Sequence, residues 1–329
     1  MNEAPLLSVR DLTVHFRSDS GWLTAIQNVG FDVAPREALG IVGESGSGKS
    51  VTALSILRLH ARGTTRIPSG SIRFGGRDLL AMPAAELRRI RGGEIAMIFQ
   101  DPMSSLNPVL TIADQISETL KLHQQLDRGA ARRRAIELLD LVRIADAAHR
   151  IDEYPHRLSG GQRQRVMIAI AIACRPRLLI ADEPTTALDV TIQAQILDLL
   201  RDLQAELGMS VILISHDLGV IAEFARRVLV MYAGRVVEEA PVRALFRRPM
   251  HPYTDGLLAA IPKLDTDSHR LSAIPGSIPD PSEQIPGCRF SPRCPEVLSA
   301  CRVDTPALVK VADAHFARCP PRLARMVEA

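Results

Sequence analysis

Apolar positions recur along the chain with two different periods, and together they predict strands that alternate with helices. Leu12, Val14 and Phe16 alternate with polar neighbours, which is typical of a strand that buries one face. Short continuous apolar runs further along indicate strands that are buried on both faces. The predicted strands are 12–16, 23–33, 38–42, 71–74, 95–99, 178–181 and 211–215. Helical spacing predicts a helix from residue 48 and further helices over 111–125, 130–145, 160–173, 191–206 and 217–224.

This alternation predicts an α/β fold in which helices cover both faces of a parallel sheet. The block 101–159 is helical and interrupts the alternation, so we expect it to be an inserted α-helical subdomain. Beyond about Pro241 the periodicity fades and prolines accumulate over 262–295, which predicts a loop-rich extension. We therefore expect a main domain over 1–240 and a C-terminal extension over 241–329.

Composition narrows the class of protein. Hydrophobic residues make up 46% of the 329 residues and charged residues 23%, which is the balance of a soluble globular protein. The net charge of +3 is too small to argue for a nucleic-acid partner. The sequence shows neither an apolar run of the roughly 18 residues that span a bilayer nor a signal-peptide pattern. We expect a cytosolic chain that works at a membrane only by docking onto another protein.

A glycine-rich loop lies between an apolar strand and a helix. Residues 43–50 read GESGSGKS and match the pattern G-x4-G-K-[ST]. Glycines let backbone N–H groups wrap phosphate oxygens, and the following helix adds the positive end of its dipole. The lysine then reaches the β- and γ-phosphates, and the last hydroxyl can hold Mg²⁺. A flexible turn is the alternative; the expected nucleotide ligands are Gly43, Ser45, Gly46, Gly48, Lys49 and Ser50, with Ser50 also on Mg²⁺.

Two carboxylates end a second apolar strand, 178–181. Asp182 suits Mg²⁺, as in other P-loop enzymes, and Glu183 suits polarisation of an attacking water. The alternative is a plain strand end before Pro184. Together with the phosphate loop, the pair predicts a P-loop NTPase.

A serine and two glycines open the helix at 158–165, which reads LSGGQRQR. Such a start is a second helix N-terminus that can bind an anion. It is also an ordinary helix start with Ser159 as the N-cap, and physical reasoning alone favours that interpretation.

With these motifs in this order, the chain resembles the ABC ATPases over about residues 6–240. The sequence LSGGQ is similar to the signature of that family. The resemblance implies a RecA-like core with an N-terminal antiparallel β subdomain and an inserted helical subdomain. It also implies that the nucleotide is contacted by Ser159, Gly160, Gly161 and Gln162.

Further positions match the family's motifs. Gln100 resembles the Q-loop glutamine, which senses Mg²⁺ and the reaction centre, and Asp189 resembles the D-loop aspartate. His216 resembles the switch histidine that contacts the γ-phosphate. Phe16 resembles the aromatic residue that stacks on adenine, with core packing of Phe16 and stacking by Trp22 as alternatives. The resemblance thus implies Glu183, His216 and Gln100 as the catalytic set, and Asp182, Ser50 and Gln100 on Mg²⁺.

The family mechanism implies a pair of such domains. Two chains meet head to tail, and each ATP lies between Lys49 of one chain and residues 159–161 of the other. ATP closes the pair, and its hydrolysis opens it. Differential affinity for ATP and ADP between the two states then drives a transporter.

The C-terminal extension carries a narrower resemblance. Residues 251–254, HPYT, begin a predicted helix that runs to 260, and a proline-rich tail with cysteines follows. This arrangement, with residues 154–157 (YPHR), is similar to the ATP-binding subunits of dipeptide, oligopeptide and nickel importers. The resemblance implies two transmembrane permease subunits, a periplasmic or extracellular substrate-binding protein and a second ATP-binding subunit, with a heterodimer favoured over a homodimer. It places the chain at the cytoplasmic face of the inner membrane, as a peripheral subunit.

Four of the five cysteines crowd into the last 42 residues. Their spacings lack the tight C-x2-C pairs of common zinc sites, whereas the spacings of iron–sulfur ligands vary more. Some members of the importer group are thought to carry a [4Fe–4S] cluster on such residues. We therefore expect a [4Fe–4S] cluster, with Zn²⁺ or unligated thiols as alternatives, on Cys288, Cys294, Cys301 and Cys319.

The leading hypothesis is an ATP-hydrolysing subunit that powers the import of peptides or related solutes. The alternative is a soluble ABC ATPase that acts on nucleic acid or ribosomes. DNA-repair members would carry a long coiled coil and translation-type members two cassettes, and the sequence has neither. A non-catalytic regulatory subunit is disfavoured by the presence of Asp182, Glu183 and His216.

Overall fold

The structure, a computed structural model, describes residues 4–19, 21–61, 63–101, 105–186, 188–261, 274–283 and 285–327. The strands in these residues are β1 (Leu7–Ser18), β2 (Gly21–Val33), β3 (Ala38–Val42), β4 (Thr65–Phe74), β5 (Arg77–Asp78), β6 (Ile95–Ile98), β7 (Leu178–Asp182), β8 (Ser210–Ser215), β9 (Arg227–Tyr232), β10 (Arg235–Pro241), β11 (Val309–Ala312) and β12 (His315–Ala317). The helices are α1 (Lys49–Ile56), α2 (Ala84–Ile90), α3 (Ile112–Gln124), α4 (Arg128–Leu141), α5 (Ala147–Arg150), α6 (Gly160–Ile172), α7 (Val190–Leu207), α8 (Leu218–Phe224), α9 (Val242–Arg247), α10 (Pro252–Ala259) and α11 (Pro320–Val327).

The chain divides into two compact units. The first consists of Met1–Ala34, Ala38–Leu80 and Leu213–Ala329, and the second of Pro35–Glu37 and Ala81–Ile212. The first unit therefore contains the glycine-rich loop together with the C-terminal extension. The second contains the helical block, β7 and α7. The predicted boundaries at 101–159 and 240/241 stay predictions.

The N-terminal strands form an antiparallel sheet in the order β2-β1-β4-β5. Leu7, the first residue of β1, pairs with Val33 of β2 and with Phe74 of β4. The pairing register of β1 shifts on either side of Val14, so its side chains do not simply alternate. The predicted antiparallel β subdomain is confirmed.

Parallel pairing begins at β3, whose five residues are all buried. Ile41 of β3 pairs with Leu229 of β9 in parallel register. A Cβ on Gly40 would lie 2.4 Å from Ile221 Cγ2, so α8 packs against β3 at a distance that only glycine permits. The first unit thus has the strand-and-helix layers that the apolar pattern predicts.

The C-terminal half of the first unit adds antiparallel strands. β10 pairs with β9, β12 with β10, and β11 with β12. β9 and β10 are joined by a tight turn at Ala233–Gly234, where φ is positive at both residues. This pair of conformations suits the twist of a two-residue hairpin. The extension is therefore partly built from strands, which its proline content did not predict.

The second unit combines a parallel strand pair with helices. Ile98 of β6 pairs with Ala181 of β7 in parallel register, and every residue of β7 is buried. The helices predicted over 111–125, 130–145, 160–173 and 191–206 correspond to α3, α4, α6 and α7. Asp127 N-caps α4 by accepting a hydrogen bond from Ala130 N, and Thr111 N-caps α3 in the same way from Asp114 N.

Candidate nucleotide site

The phosphate loop connects β3 to α1 in the first unit. A Cβ on Gly43 would lie 2.2 Å from Met231 O, and one on Gly48, where φ is +101°, would lie 2.6 Å from Ile26 Cγ2. Only glycine fits such close approaches. The loop therefore lies directly against the end of β9 and the middle of β2, and the residues around it fix its path.

The first turn of α1 is suited to bind an anion. Its N-cap is Gly48, and among the described residues no side chain caps the helix and no acidic residue lies in its first turn. The first backbone N–H groups are the donors that a phosphate accepts from. No described atom lies within 4 Å of a Cβ placed on Gly46, which leaves open space beside the loop. Ser45 belongs to the same loop and Ser50 to the first turn of the helix.

Lys49 is only 5% exposed, yet its ammonium group is well satisfied. Its Nζ donates hydrogen bonds to Gly43 O over 2.7 Å and to Glu44 O over 3.0 Å. The Lys49 side chain thus lies along the loop, and the carbonyl groups of Gly43 and Glu44 hold its ammonium group in place. A triphosphate fits this loop, because the loop combines an ammonium group with the backbone N–H donors of a helix start.

The two aromatic candidates for adenine stacking differ in their surroundings. Phe16 is half-buried, and its ring meets the ring of His60 edge-on with centroids 5.4 Å apart. Trp22 is 39% exposed, and the guanidinium of Arg66 lies 4.5 Å from its ring centroid. Because of the register shifts around Val14, Phe16 is not buried in the way the alternating pattern predicts. Stacking by either residue stays a prediction.

His216 follows β8 directly and is exposed. The next residue, Asp217, N-caps α8 by accepting hydrogen bonds from Gly219 N over 2.7 Å and from Val220 N over 3.4 Å. The histidine therefore sits on a short, well-fixed connection between a buried strand and a helix. Its contact with a γ-phosphate stays a prediction.

The carboxylates at the end of β7 lie in the second unit. Asp182 is buried, with 4% exposure. Glu183 accepts hydrogen bonds at Oε2 from Gln100 Nε2 over 3.0 Å and from Thr186 Oγ1 over 2.9 Å. Its φ is +48°, an unfavourable conformation for a residue with a side chain. The structure therefore brings Gln100 and Glu183 together, and two donors orient the Glu183 carboxylate.

The signature segment also lies in the second unit and opens α6. Ser159 Oγ accepts from Gln162 N over 3.3 Å, and Gln162 Oε1 accepts from Ser159 N over 3.0 Å. This reciprocal pair is a capping box. A Cβ on Gly161 would lie 2.8 Å from Ile192 Cγ2, so the segment packs closely on α7. The plain helix start is thus present, and nucleotide binding by residues 159–162 stays a prediction.

Asp189 is the N-cap of α7. Its side chain accepts from Ile192 N over 2.9 Å. Asp189 therefore has a structural role as a helix cap, and its role in the D-loop stays a prediction.

The four cysteines of the extension lie near one another as free thiols. Cys288 N donates to Cys301 O over 2.8 Å. Burial raises the pKa of the thiols of Cys288 and Cys294, and neighbouring cysteines of the set raise it further. Burial raises the pKa of Cys319 to about 12, with Cys294 adding to the effect. Within the described ranges, no three His, Cys, Asp or Glu side chains form a group that could hold a metal ion.

Comparisons with known proteins show the family of the chain. The ABC transporter family matches residues 26–186, and the oligopeptide/dipeptide transporter C-terminal region matches residues 237–301. A putative peptide import ATP-binding protein of Brucella abortus (strain 2308) is 62% identical, over 98% of this chain and 97% of that protein. The oligopeptide transport ATP-binding protein AppD of Bacillus subtilis (strain 168) is 50% identical, over 95% and 96% of the two chains.

The fold is also found among solved structures. The dimeric structure of the ATP-binding cassette MJ0796 in a post-hydrolysis state, bound to ADP and phosphate, matches with a TM-score of 0.65. The two chains are 29% identical, and the match covers 72% of this chain and 99% of that one. The predicted P-loop NTPase fold is therefore confirmed. No helix within the described residues has the length and apolar character to cross a membrane.

These matches and the phosphate loop define a P-loop ATPase of the cassette class. The chain belongs to the ABC transporter family, in the group of ATP-binding proteins that carry the oligopeptide/dipeptide transporter C-terminal region.

The structure shows contacts to the phosphate loop that the sequence motifs did not indicate. The phosphate-loop residue Glu44 is held by Tyr253 and Arg293 of the extension. Tyr253 belongs to the HPYT segment, which the sequence analysis used as a helix start and as part of the resemblance to importer subunits, without assigning Tyr253 a contact. The sequence offered only weak signals for this contact: Arg293 precedes Cys294, and Glu44 is a charged residue inside a glycine-rich loop.

Proposed function

We propose that this chain binds and hydrolyses ATP to power the import of peptides through a membrane ABC transporter. The observation that carries the ATPase part is the Glu183 carboxylate, oriented by Gln100 and Thr186 at the end of β7. The peptide part is supported by relatives at 50–62% identity that cover nearly the whole chain and are named as peptide import or oligopeptide transport ATP-binding proteins.

The roles of the site residues follow from their chemistry. The loop amides over 43–50 and the Lys49 ammonium bind the phosphates, and Glu183 accepts a proton from the attacking water. His216 contacts the γ-phosphate, and Phe16 or Trp22 stacks on the adenine. Ser50, Gln100 and Asp182 would hold Mg²⁺, which would supply the positive charge that neutralises the phosphates.

The working unit is a pair of ATP-binding chains. Each ATP is held by Lys49 of one chain and by the signature segment, Ser159 to Gln162, of the other, with Asp189 at the same junction. We favour a heterodimer. The pair acts peripherally at the cytoplasmic face of the inner membrane with two permease subunits, and a substrate-binding protein delivers the peptide.

The test is ATP hydrolysis by the assembled transporter in liposomes. Di- and oligopeptide-loaded binding protein should stimulate phosphate release, and Glu183→Gln should remove that stimulation. Hydrolysis that responds to Ni²⁺ and ignores peptides would contradict the proposed substrate. Assembly with a second, different ATP-binding chain, measured by co-purification, separates the heterodimer from the homodimer.

The [4Fe–4S] cluster on Cys288, Cys294, Cys301 and Cys319 also remains our proposal, with Zn²⁺ as the alternative. What supports it is the proximity of these thiols within the extension. As they stand, the thiols do not form a ligand group, so cluster binding requires them to turn toward one centre. No step of ATP hydrolysis depends on the cluster.

Protein purified without oxygen tests this proposal through visible absorption and iron, sulfide and zinc content. Four irons with four sulfides per chain, lost in Cys288→Ser, are the expected result. Zinc without sulfide would favour the alternative. Metal-free chains with four titratable thiols in this region would contradict both.

A further inference from the structure

One residue of the phosphate loop is held from outside the loop by two residues of the C-terminal extension. Glu44 N donates a hydrogen bond to Tyr253 Oη over 2.8 Å. Arg293 donates to both carboxylate oxygens of Glu44, from Nη1 over 2.8 Å and from Nη2 over 3.1 Å. The backbone and the side chain of Glu44 are thus fixed by separate contacts, and all three residues belong to the first unit.

Arg293 is itself firmly held. Its side chain is 7% exposed, whereas that of Glu44 is 29% exposed. Its Nε donates to Pro275 O over 2.8 Å, its Nη2 donates to Gly276 O over 3.2 Å, and its guanidinium lies 5.7 Å from the ring centroid of Tyr232. Burial alone would lower the pKa of Arg293, but the hydrogen bonds to Glu44 and Tyr232 outweigh burial and raise it. A bidentate arginine–carboxylate ion pair with a largely buried arginine is strong and directional.

Tyr253 is equally fixed. Its ring is fully buried and packs edge-on against Tyr232, with centroids 4.7 Å apart, and at a tilt against Phe290 at 5.5 Å. Its backbone N donates to His251 Nδ1, which caps the start of α10. The hydroxyl therefore stays at one point, because both the ring and the helix that carries it are packed.

Glu44 also shapes the part of the loop that binds phosphate. Its carbonyl oxygen accepts from Lys49 Nζ over 3.0 Å and from Ser47 N over 3.1 Å. A shift of Glu44 would therefore move the Lys49 ammonium group and the backbone amide of Ser47. Its carboxylate would also repel a triphosphate, and the paired Arg293 offsets that repulsion.

We propose that Arg293 and Tyr253 are positioning residues of the nucleotide site, and that the extension thereby holds the phosphate loop in its ATP-binding form. This inference rests on the proposed ATPase function. A loop that is ordered beforehand binds its ligand more tightly, because less conformational freedom is lost on binding. The effect should appear in ATP affinity and KM far more than in kcat, because both residues act on the loop that binds phosphate.

The experiment is ATP titration of the full-length chain by calorimetry, together with KM and kcat of the assembled transporter. Arg293→Ala should weaken ATP binding about 10-fold and leave kcat within about 3-fold. Arg293→Lys keeps the positive charge but cannot make the bidentate contact of a guanidinium. Its ATP affinity should lie between those of Arg293→Ala and the wild type. Tyr253→Phe, which removes only the hydroxyl, should weaken binding about 3-fold.

Arg322→Ala is the matched control. Arg322 is also a largely buried, ion-paired arginine of the extension, but its hydrogen bonds go to Glu296, Asp255 and Pro249 O. Arg322→Ala should leave ATP affinity within about 2-fold of the wild type. It should lower thermal stability about as much as Arg293→Ala does. Equal loss of affinity in both arginine variants would overturn the proposal, since the loss would then reflect general loosening of the extension.

A double variant identifies the route of the effect. If Arg293 acts through Glu44, Glu44→Gln with Arg293→Ala should bind ATP no more weakly than Arg293→Ala alone. Additive losses would overturn the proposal, as would unchanged affinity in folded Arg293→Ala and Tyr253→Phe. Failure of the ATPase function itself would look different, because the wild-type chain would then not bind ATP.

Discussion

Gln100 and Glu183 meet through a hydrogen bond of 3.0 Å between Gln100 Nε2 and Glu183 Oε2. Their positions are 83 residues apart in sequence, at the ends of the paired strands β6 and β7. Thr186 Oγ1 donates to the same oxygen. Two donors on Oε2 fix the orientation of the Glu183 carboxylate, which is what the proposed role as a general base requires.

Replacing Glu183 by Gln should stop turnover while ATP still binds. The amide keeps the shape of the side chain but cannot accept a proton, so we expect phosphate release to fall by about 100-fold or more. Size-exclusion chromatography with ATP should show a trapped dimer. Glu206→Gln, the same chemical change on the exposed face of α7, is the control and should hydrolyse ATP normally. Wild-type turnover in Glu183→Gln would remove this residue as the base.

Lys49→Ala should abolish tight nucleotide binding. The substitution removes the buried ammonium group that lies along the loop, and we expect ATP affinity to fall by about 100-fold. Calorimetric titration measures the loss, and Lys121→Ala on the exposed face of α3 is the matched control. Unchanged ATP binding would contradict the assignment of the phosphate loop.

Stability should fall in acid because of His251. Burial lowers the pKa of its ring to about 3, and the Arg322 charge adds to the effect. The folded protein keeps the ring neutral, while the unfolded chain takes up a proton near pH 6.5. The contribution is therefore complete above about pH 6.5 and is lost at about 1.4 kcal/mol per pH unit as the pH falls toward 3.

Urea unfolding of the wild type and of His251→Asn at several pH values checks this expectation. Asparagine can still cap α10 through its side-chain oxygen but does not titrate. The variant should show a shallower loss of stability between pH 6 and 4. An identical pH slope in both proteins would show that another group dominates.

The buried carboxylate of Glu238 should be critical for folding. It is fully buried and accepts hydrogen bonds from Met250 N over 2.7 Å, His251 N over 2.9 Å and His315 Nε2 over 2.7 Å. Glu238→Ala leaves these donors without an acceptor, which should cost about 3–5 kcal/mol of unfolding free energy.

Chemical denaturation of Glu238→Ala measures that cost. Glu238→Gln retains an acceptor oxygen and should lose less. A change below about 1 kcal/mol in Glu238→Ala would mean that water replaces the carboxylate, contrary to the burial of this group.

The sequence predicted best those elements whose pattern reflects complete burial. β3 has the predicted limits, and β7 and β8 differ from prediction by one residue, because both faces of each strand are apolar. β11 and β12 were missed since they are short and partly polar. The hairpin of β9 and β10 was missed because its turn, Ala233–Gly234, lacks the Asn-Gly or Asp-Gly signal.

Local motifs predicted the phosphate loop, but contacts distant in sequence lay beyond them. Glu44 and Arg293 are 249 residues apart, and no periodicity relates the two positions. The half-exposed state of Phe16 depends on bulges in β1, which follow from strand pairing and not from the alternation of residues. Motifs record local backbone requirements, whereas these features arise only when separate segments meet.

The contact of Glu44 with Arg293 has a consequence for modularity. Ala38–Leu80 and Leu213–Ala329 belong to one compact unit, so we do not expect the extension to be freely exchangeable. A chimera that takes the extension from another subunit must also take a compatible residue at position 44. We therefore expect recombination between related genes to preserve ATP binding best when it transfers both segments together.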